Sequence, residues 1–262
     1  MIQLGANGSE HLESLIAAGQ VQVDYLKVGR FMGRERIADL RTCYPLLLHG
    51  SEITLSVRPP LDGTVLAAAR DFVALTGTPW YSVHLGFATE EVTPGDENNP
   101  ANGTGILSAA ESRERIIRNA RVLKDALPVP LLLENVPRFL NAAHDHVCEP
   151  EFIAAVVEAA DTGFLLDLAH ARVSAAVLGY DLPDYLHRLP LDRTVEIHVS
   201  GPRRVAGVLQ DVHEPLLAED YDLVAWALRE TPATALSLEY WRDKDALREQ
   251  LACLRALVES MG

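Results

Sequence analysis

Imidazole and carboxylate side chains stand at the ends of short apolar runs in this 262-residue sequence. An isolated acid or imidazole at the end of a buried run is costly unless it is paired. Asp211 and His213 add two such groups with a spacing of two residues, and extended backbone would turn both to the same side. The groups at the ends of the runs are His49, His84, Glu134, Asp167, His170, His198 and Glu239.

Carboxylates that converge on one place repel each other unless cations neutralise them. The nine imidazole and carboxylate groups, with the amide oxygen of Asn135 as a tenth candidate, are more ligands than one ion needs. We therefore predict two or three metal ions. The three cysteines lie outside these motifs, so the ligands are nitrogen and oxygen atoms, which suit iron, manganese or zinc.

Apolar runs that could form strands alternate with amphipathic stretches along the whole chain. Continuous apolar strands indicate a parallel sheet that is buried on both faces, and eight strand-helix units favour closure into a barrel. We predict a single (β/α)8 barrel domain over residues 1–262, with the candidate ligands at the C-terminal ends of its strands. The predicted strands are residues 2–5, 25–28, 46–49, 81–85, 131–135, 164–167, 195–199 and 235–239, and the predicted helices are residues 10–18, 34–39, 65–76, 109–126, 149–160, 174–187, 222–229 and 244–259.

Composition excludes several classes of function. A net charge of −14 argues against nucleic acid as a partner, because most nucleic-acid-binding proteins present a basic face. The apolar runs are too short to span a membrane, so no membrane association is expected. The cysteines are few and far apart, and no secretory signal opens the sequence, so a cytoplasmic location is expected.

Three further segments carry expectations. Residues 89–105, rich in Asn, Gly, Pro and acid, predict a long loop on the face of the candidate site, either a substrate-binding lid or a solvated insertion. Arg203 and Arg204 could anchor a peptide carboxylate, although a solvated basic loop is the favoured interpretation. His144 and His146 are interpreted as surface residues rather than as metal ligands.

Together, the ordered motifs resemble the multinuclear non-haem iron-dependent oxidases, a family long labelled as a domain of unknown function that includes the methanobactin-forming oxazolone synthase. Each motif alone is weak, whereas the ordered set is specific. The motifs are Leu47-Leu48-His49-Gly50, Ser82-Val83-His84-Leu85, Leu133-Glu134-Asn135-Val136, Leu166-Asp167-Leu168-Ala169-His170-Ala171, Ile197-His198-Val199-Ser200-Gly201, Asp211-Val212-His213-Glu214-Pro215 and Glu239.

The resemblance implies an α/β fold, a TIM barrel of the xylose-isomerase-like type, that holds two or three irons as Fe(II) and Fe(III). It implies an oxidase that uses O2 to modify a cysteine, or another residue, of a ribosomally made precursor peptide. It also implies a small partner protein that recruits the leader of the peptide. At matching positions it implies that Asn135 and His170 are either ligands or groups that support them, and that the metal ligands are His49, His84, Glu134, Asp167, His198, Asp211, His213 and Glu239.

One departure and two alternatives remain open from the sequence. The residue before the histidine of the fourth strand is commonly acidic in the family, whereas here it is Val83. A zinc- or manganese-dependent hydrolase or isomerase, of the endonuclease-IV-like or xylose-isomerase-like barrel type, would use a similar ligand set. A non-catalytic metal-binding scaffold is the second alternative, although a decayed site would have lost several ligands.

Overall fold

The structure, a computed structural model, describes residues 2–89, 105–138 and 142–261. Within these residues eight parallel strands close into a barrel, as predicted. The barrel strands are β1 (Gln3–Asn7), β2 (Tyr25–Gly29), β3 (Leu46–His49), β4 (Tyr81–His84), β5 (Leu131–Glu134), β6 (Gly163–Asp167), β7 (Thr194–Val199) and β10 (Ala235–Leu238), with the hairpin strands β8 (Gly201–Val205) and β9 (Val208–Glu214) inserted after β7. Closure joins the first and last strands, where Leu4 lies opposite Leu236 in parallel register.

Helices follow the barrel strands and pack around them. Their sequences bury one apolar stripe against the barrel, as at Ile116, Ala120 and Leu123, all of which are fully buried. The helices are α1 (Glu10–Ala17), α2 (Arg34–Cys43), α3 (Gly63–Thr76), α4 (Ala109–Ala126), α5 (Pro150–Ala160), α6 (Leu168–Leu178), α7 (Leu182–His187), α8 (Ala218–Glu230) and α9 (Lys244–Ser260). One continuous apolar cluster runs from Leu4 to Val258.

The barrel strands are short apolar runs because both of their faces are buried. In β5, for example, Leu131, Leu132 and Leu133 are all at most 1% exposed. The apolar character ends at the last residue of the strand, where Glu134 begins the barrel mouth. The sequence therefore positions polar groups at one end of the barrel by ending each buried run with them.

The predicted helix over residues 174–187 is wrong in its bounds, since two helices occupy this region. Asp167 ends β6 and caps α6, because its Oδ1 accepts a hydrogen bond from the backbone N–H of His170 at 2.7 Å. Gly179, with φ 81°, ends α6 in the left-handed conformation that favours glycine. The early start of α6 places His170 on the first helical turn above the mouth.

The segment after β7, predicted as a loop, forms the antiparallel hairpin β8–β9. Ala206 and Gly207 make its two-residue turn with φ 49° and 85°, and positive φ at both central residues is typical of the hairpin turns that match strand twist. Asp211 and His213 lie on β9, but the expectation of extended backbone is wrong at His213, whose φ of 51° lies in the left-handed region. Ala-Gly is a weaker turn signal than Asn-Gly or Asp-Gly, which explains why the strands were not predicted.

The predicted long loop at residues 89–105 lies outside the described residues, except for its two ends. These ends are joined by an antiparallel bridge between Thr89 and Ile106. Across the described ranges, no helix is both long enough and apolar enough to cross a membrane.

Candidate metal centre

The barrel mouth brings together nine of the ten predicted ligands. Two groups of side chains offer ligand atoms that all lie within 4.8 Å of one another, and each of them is able to hold a metal ion. The first group is His49, His84 and Glu134, and the second is Glu134, Asp167 and His198. Because Glu134 belongs to both groups, its carboxylate is placed to bridge two ions.

Glu134 lies at the centre of this arrangement, with its side chain 2% exposed. Its Oε2 is 3.3 Å from Nε2 of His49 and 3.8 Å from Nε2 of His84. Its Oε1 is 3.5 Å from Nδ1 of His198. The two carboxylate oxygens therefore face histidines that rise from different strands, on opposite sides of the mouth.

A third set of groups lies at the rim of the mouth, on the hairpin and beside it. Oδ2 of Asp211 is 3.3 Å from Nε2 of His170 and 3.5 Å from Nδ1 of His213. Nε2 of His213 is 3.2 Å from Oε2 of Glu239, which follows β10. The hairpin thus contributes two side chains that complete the rim, and Ser200 holds one of them by donating to Oδ1 of Asp211 at 2.9 Å.

Three buried ligand-type atoms at the mouth have no hydrogen-bond partner among the described residues: Oε2 of Glu134, Oδ2 of Asp167 and Nδ1 of His198. Leaving a buried polar atom unpaired costs roughly 1–3 kcal/mol, and more for a charged group. All three atoms belong to the second group described above or bridge it to the first. Buried carboxylate and imidazole atoms that make ion-pair contacts with one another but no hydrogen bond fit bound metal cations, so the residues present fit the metal ions predicted from the sequence.

Hydrogen bonds fix which ring nitrogen of three histidines faces the mouth. Nδ1 of His170 donates to the carbonyl oxygen of Asn135 at 2.8 Å, which leaves Nε2 toward Asp211. Nε2 of His198 lies 3.1 Å from Oε1 of Glu196, which leaves Nδ1 toward the mouth. Metal-binding histidines are commonly oriented in this way by a carbonyl or carboxylate on the opposite ring nitrogen.

The third oriented histidine is His49, whose Nδ1 lies 2.9 Å from Oγ of Ser82. Its Nε2 is thereby left toward Glu134. The three histidines on β3, α6 and β7 therefore each present one nitrogen to the same space, with the other nitrogen held by the protein.

Burial and ion pairing act in opposite directions on the imidazoles. Burial lowers the pKa of His49 to about 3. Burial also opposes the charged form of His198, but the carboxylates of Glu239 and Glu134 outweigh it and raise the pKa of His198 to about 10. The same balance, with Glu239 as the main partner, raises the pKa of His213 to about 9.

The acids show the complementary pattern. Burial raises the pKa of Asp167 to about 7, against the lowering effect of His170. Burial also opposes ionisation of Glu134 and Glu239, yet the neighbouring imidazoles hold the pKa of both carboxyls below the ordinary value. In the absence of cations, the carboxylates of the mouth are therefore paired with the imidazoles of His170, His198 and His213, whose pKa values are raised, and metal ions would replace the protons of these imidazoles.

Asn135 is the predicted candidate that the structure assigns to a different task. Its side-chain Oδ1 accepts from the backbone N–H of Asp167 at 2.8 Å, and its Nδ2 donates to the carbonyl of Asp167 at 2.9 Å. The amide oxygen is therefore engaged with the backbone. Of the two roles that the resemblance left open, these bonds favour support of the neighbouring ligands over coordination by Asn135 itself.

Two groups beneath the mouth were missed by the sequence analysis. Lys27 of β2 and Glu196 of β7 are buried inside the barrel and form an ion pair, with 2.6 Å between Nζ and Oε1. Glu196 contacts His198, as described above, and Lys27 also donates to Oγ of Ser82 at 3.2 Å. A lysine inside an apolar strand was the available signal, since an unpaired ammonium is not tolerated there.

Other predicted residues lie away from the ligand groups. Arg203 donates to the carbonyls of Pro202 and Pro215, and Arg204 donates to that of Gly207, so both help to hold the hairpin backbone. The surface position expected for His144 is wrong, because the residue is 1% exposed in a 3-10 helix.

Comparisons with known proteins agree with the fold and with the motifs. A UPF0276 protein of Pseudomonas aeruginosa strain UCBPP-PA14 is 30% identical over 226 residues, which are 82% of this chain and 77% of that protein. A xylose isomerase domain containing protein of Salmonella typhimurium LT2 matches 98% of this chain and 97% of its own, with TM-score 0.66 and 13% identity. Endonuclease IV of Thermus thermophilus matches 98% of this chain and 99% of its own, with TM-score 0.60 and 18% identity.

The two structural similarities concern the fold alone, and they make the barrel xylose-isomerase-like, as predicted. The sequence comparison is more specific, because a family model matches residues 9–258, from the residue before α1 to the last turn of α9. That range includes every predicted ligand. With motifs, fold and match in agreement, the chain belongs to the family of RiPP precursor modification enzymes described as MbnB/TglH/ChrH.

Proposed function

We propose that this chain is an iron-dependent oxidase that uses O2 to modify a cysteine, or another residue, of a ribosomally made precursor peptide. Membership of a precursor modification family supports the peptide as substrate. The observation that carries the metal part of the proposal is the convergence of three buried atoms without hydrogen-bond partners, on Glu134, Asp167 and His198.

Three sets of residues would hold the ions. His49 and His84 would share one ion with Glu134, while Asp167 and His198 would share a second ion with the same carboxylate. The rim groups that surround the hairpin, which would complete these sites or hold a third ion, are His170, Asp211, His213 and Glu239. Bound iron would supply one-electron chemistry with O2 and Lewis acidity, and a set of imidazoles and carboxylates suits it.

The chain itself would bind and orient the substrate. A cysteine thiol would bind as the thiolate, because thiolate is the form that acts as a metal ligand. Asn135 keeps Nδ1 of His170 protonated through its carbonyl oxygen, so that Nε2 stays available at the mouth. Asp167 keeps one oxygen on the helix cap and the other toward the mouth, which holds the carboxylate in one orientation.

The surface around the mouth fits a peptide. Among the residues that the structure describes, all the large hydrophobic side chains that are exposed lie on segments that follow barrel strands, on the side of the mouth. Exposed apolar groups that gather on one face commonly mark an interaction site. They are Phe31, Ile106, Val205, Val208, Leu217 and Trp241.

Three broader features complete the proposal. A small partner protein would recruit the leader of the peptide, as the family resemblance implies. The three free cysteines, two of them exposed, are compatible with a reducing cytoplasm. The apolar cluster that spans Leu4 to Val258 supports a single domain over residues 1–262.

The test uses the full chain made under iron-replete, anaerobic conditions, with candidate peptides that contain cysteine. Iron analysis and Mössbauer spectroscopy should give two or three irons per chain. Addition of the true substrate should consume O2 and change the peptide mass. His49→Ala and Asp211→Ala should each lower iron content and O2 consumption. If no candidate peptide causes O2 consumption and these variants change only thermal stability, the non-catalytic scaffold is favoured.

A second candidate is a zinc- or manganese-dependent hydrolase or isomerase. The barrel similarity to endonuclease IV and to a xylose isomerase domain containing protein favours it, since imidazole and carboxylate ligands serve zinc equally well. Zinc in the purified chain, together with cleavage of a small phosphodiester or isomerisation of a sugar, would support this candidate and contradict the oxidase proposal.

A further inference from the structure

We propose that Lys27 is a positioning residue that orients two metal-facing imidazoles, those of His49 and His198, from beneath the barrel mouth. This inference rests on the proposed metal centre. The two histidines belong to the two different ligand groups that meet at Glu134, and their ring centroids are 5.8 Å apart. One lysine would thus control both groups.

Lys27 lies inside the barrel, where its side chain is 3% exposed. Its ammonium donates to Oε1 of Glu196 at 2.6 Å and to Oγ of Ser82 at 3.2 Å. An ammonium has only donors, so both partners must accept from it. Lys27 therefore has two branches, one toward β7 and one toward β4.

The first branch runs through Glu196 to His198. Oε1 of Glu196 also lies 2.8 Å from Oγ of Ser237 and 3.1 Å from Nε2 of His198. Trp80 donates to the other oxygen, Oε2, at 2.8 Å. A carboxylate held on so many sides has one orientation, and it draws the Nε2 proton of His198, which leaves Nδ1 for the mouth.

The second branch runs through Ser82 to His49. A serine hydroxyl offers one proton and two lone pairs. Lys27 takes one lone pair, and the hydroxyl proton can be donated to the carbonyl of Leu48 at 3.4 Å. The remaining lone pair faces Nδ1 of His49 at 2.9 Å, which favours a proton on Nδ1 and a free lone pair on Nε2.

The sign of the charge excludes a simpler role for Lys27. A cation beneath a metal centre repels metal ions, so Lys27 is not there to attract them. Glu196 cancels its charge, and an apolar pair of similar volume would fill the barrel at least as stably as a buried ion pair does. An apolar pair could not orient the two imidazoles, so we assign this role to the ion pair of Lys27 and Glu196.

The test measures binding of Fe(II) alone to the full chain under anaerobic conditions, by competition with a chromophoric chelator. Groups that orient metal ligands typically change metal affinity by about 10–100-fold. Glu196→Gln should weaken the ion that contacts His198, and Ser82→Ala the ion that contacts His49. Lys27→Met should weaken both ions by at least about tenfold.

Lys27→Met leaves Glu196 buried without its partner, so the neutral double variant Lys27→Met/Glu196→Gln keeps the test valid if the single variant does not fold. The double variant should recover stability in urea while the site at His49 stays weak. Imidazole 15N NMR of the zinc-loaded chain should show His198 bound through Nδ1 and His49 through Nε2, and mixed ring states in the variants.

A matched control is Arg255→Met, which breaks the ion pair with Asp24, just before the opposite end of β2. It should lower stability without changing metal affinity. Full affinity and unchanged imidazole spectra in the Lys27 variants would overturn this proposal alone. Failure of the unsubstituted chain to bind any Fe(II) or zinc would overturn it together with the proposed function.

Discussion

The side chain of Asn135 holds the backbone of Asp167 at both of its polar atoms, donating to the carbonyl at 2.9 Å and accepting from the N–H at 2.8 Å. The backbone carbonyl of Asn135 accepts from Nδ1 of His170. A single residue after β5 therefore fixes a carboxylate and an imidazole that follow β6. Asn135 therefore links the end of β5 to the end of β6 by hydrogen bonds.

Asn135→Ala should therefore weaken metal binding as well as the fold. The substitution removes the side-chain partner of the buried N–H and of the buried carbonyl of Asp167, which should cost ~2–4 kcal/mol in the free energy of unfolding. Because Asp167 loses its support, while His170 keeps its bond to the backbone carbonyl of residue 135, Fe(II) affinity should fall by about tenfold. Urea denaturation and chelator competition measure the two effects.

The chain offers a matched control in Asn119, a fully buried asparagine on α4 that braces a loop. It donates to the carbonyls of Leu55 and Val57 and accepts from the N–H of Leu61. Asn119→Ala should cost a similar free energy and leave metal affinity unchanged. Equal losses of affinity in both variants would mean that Asn135 acts only through global stability.

The groups that meet at the mouth could be predicted because most of them are local features of the sequence, apolar runs that end in His, Asp or Glu. The pairing of Lys27 with Glu196 could not be predicted, because the contact joins residues 169 positions apart and exists only once the barrel closes. For Asn135 the limit was chemical. A side-chain amide can either coordinate a metal ion or form hydrogen bonds with the backbone of a neighbouring segment, and the sequence does not show which backbone groups lie within its reach.

Metal binding should release protons and strengthen as pH rises. In the folded, metal-free chain the pKa of His198 is raised to about 10 and that of His213 to about 9, and the pKa of His170 is also raised. These imidazoles are protonated at about pH 7.5 and must lose a proton to bind a metal. Affinity should therefore increase with pH up to the raised pKa values.

Isothermal titration with zinc in buffers of different ionisation enthalpy measures this release. About two to three protons should leave per chain at full occupancy at about pH 7.5, and fewer at about pH 9.5. His213→Gln should lower the number by about one proton, since a glutamine has none to lose. Zinc affinity that is independent of pH would show that these imidazoles are not ligands.

Gly201 allows the hairpin to close against the rim. A Cβ at this position would lie 2.3 Å from the carbonyl oxygen of Glu214 and 2.5 Å from that of Pro215, both of which are backbone atoms. Gly201→Ala should therefore force β8 and β9 apart and displace Asp211 and His213. We expect weaker metal binding with the barrel retained, measured by metal stoichiometry and far-UV circular dichroism.

Gly63→Ala is the control for that substitution, because no atom lies within 4 Å of a Cβ built at this first residue of α3. It should change stability by less than ~0.5 kcal/mol and leave the metal content unchanged. If Gly201→Ala binds metal as the unsubstituted chain does, the hairpin residues are not part of the centre.

Trp241 should contribute to peptide binding at the mouth. It is 41% exposed, and its ring lies 5.4 Å from the ring of His213, so a bound peptide could cover it beside the metal groups. Trp241→Ala should weaken precursor peptide binding by about tenfold, because exposed aromatic anchors dominate such interfaces. Metal content should stay unchanged.

The control is Trp226→Ala, which removes a half-buried ring that packs on His187 in the helical layer. It should lower stability without changing peptide affinity. Equal peptide affinity in the Trp241 variant and the unsubstituted chain, measured by fluorescence anisotropy, would remove this part of the mouth from the peptide site.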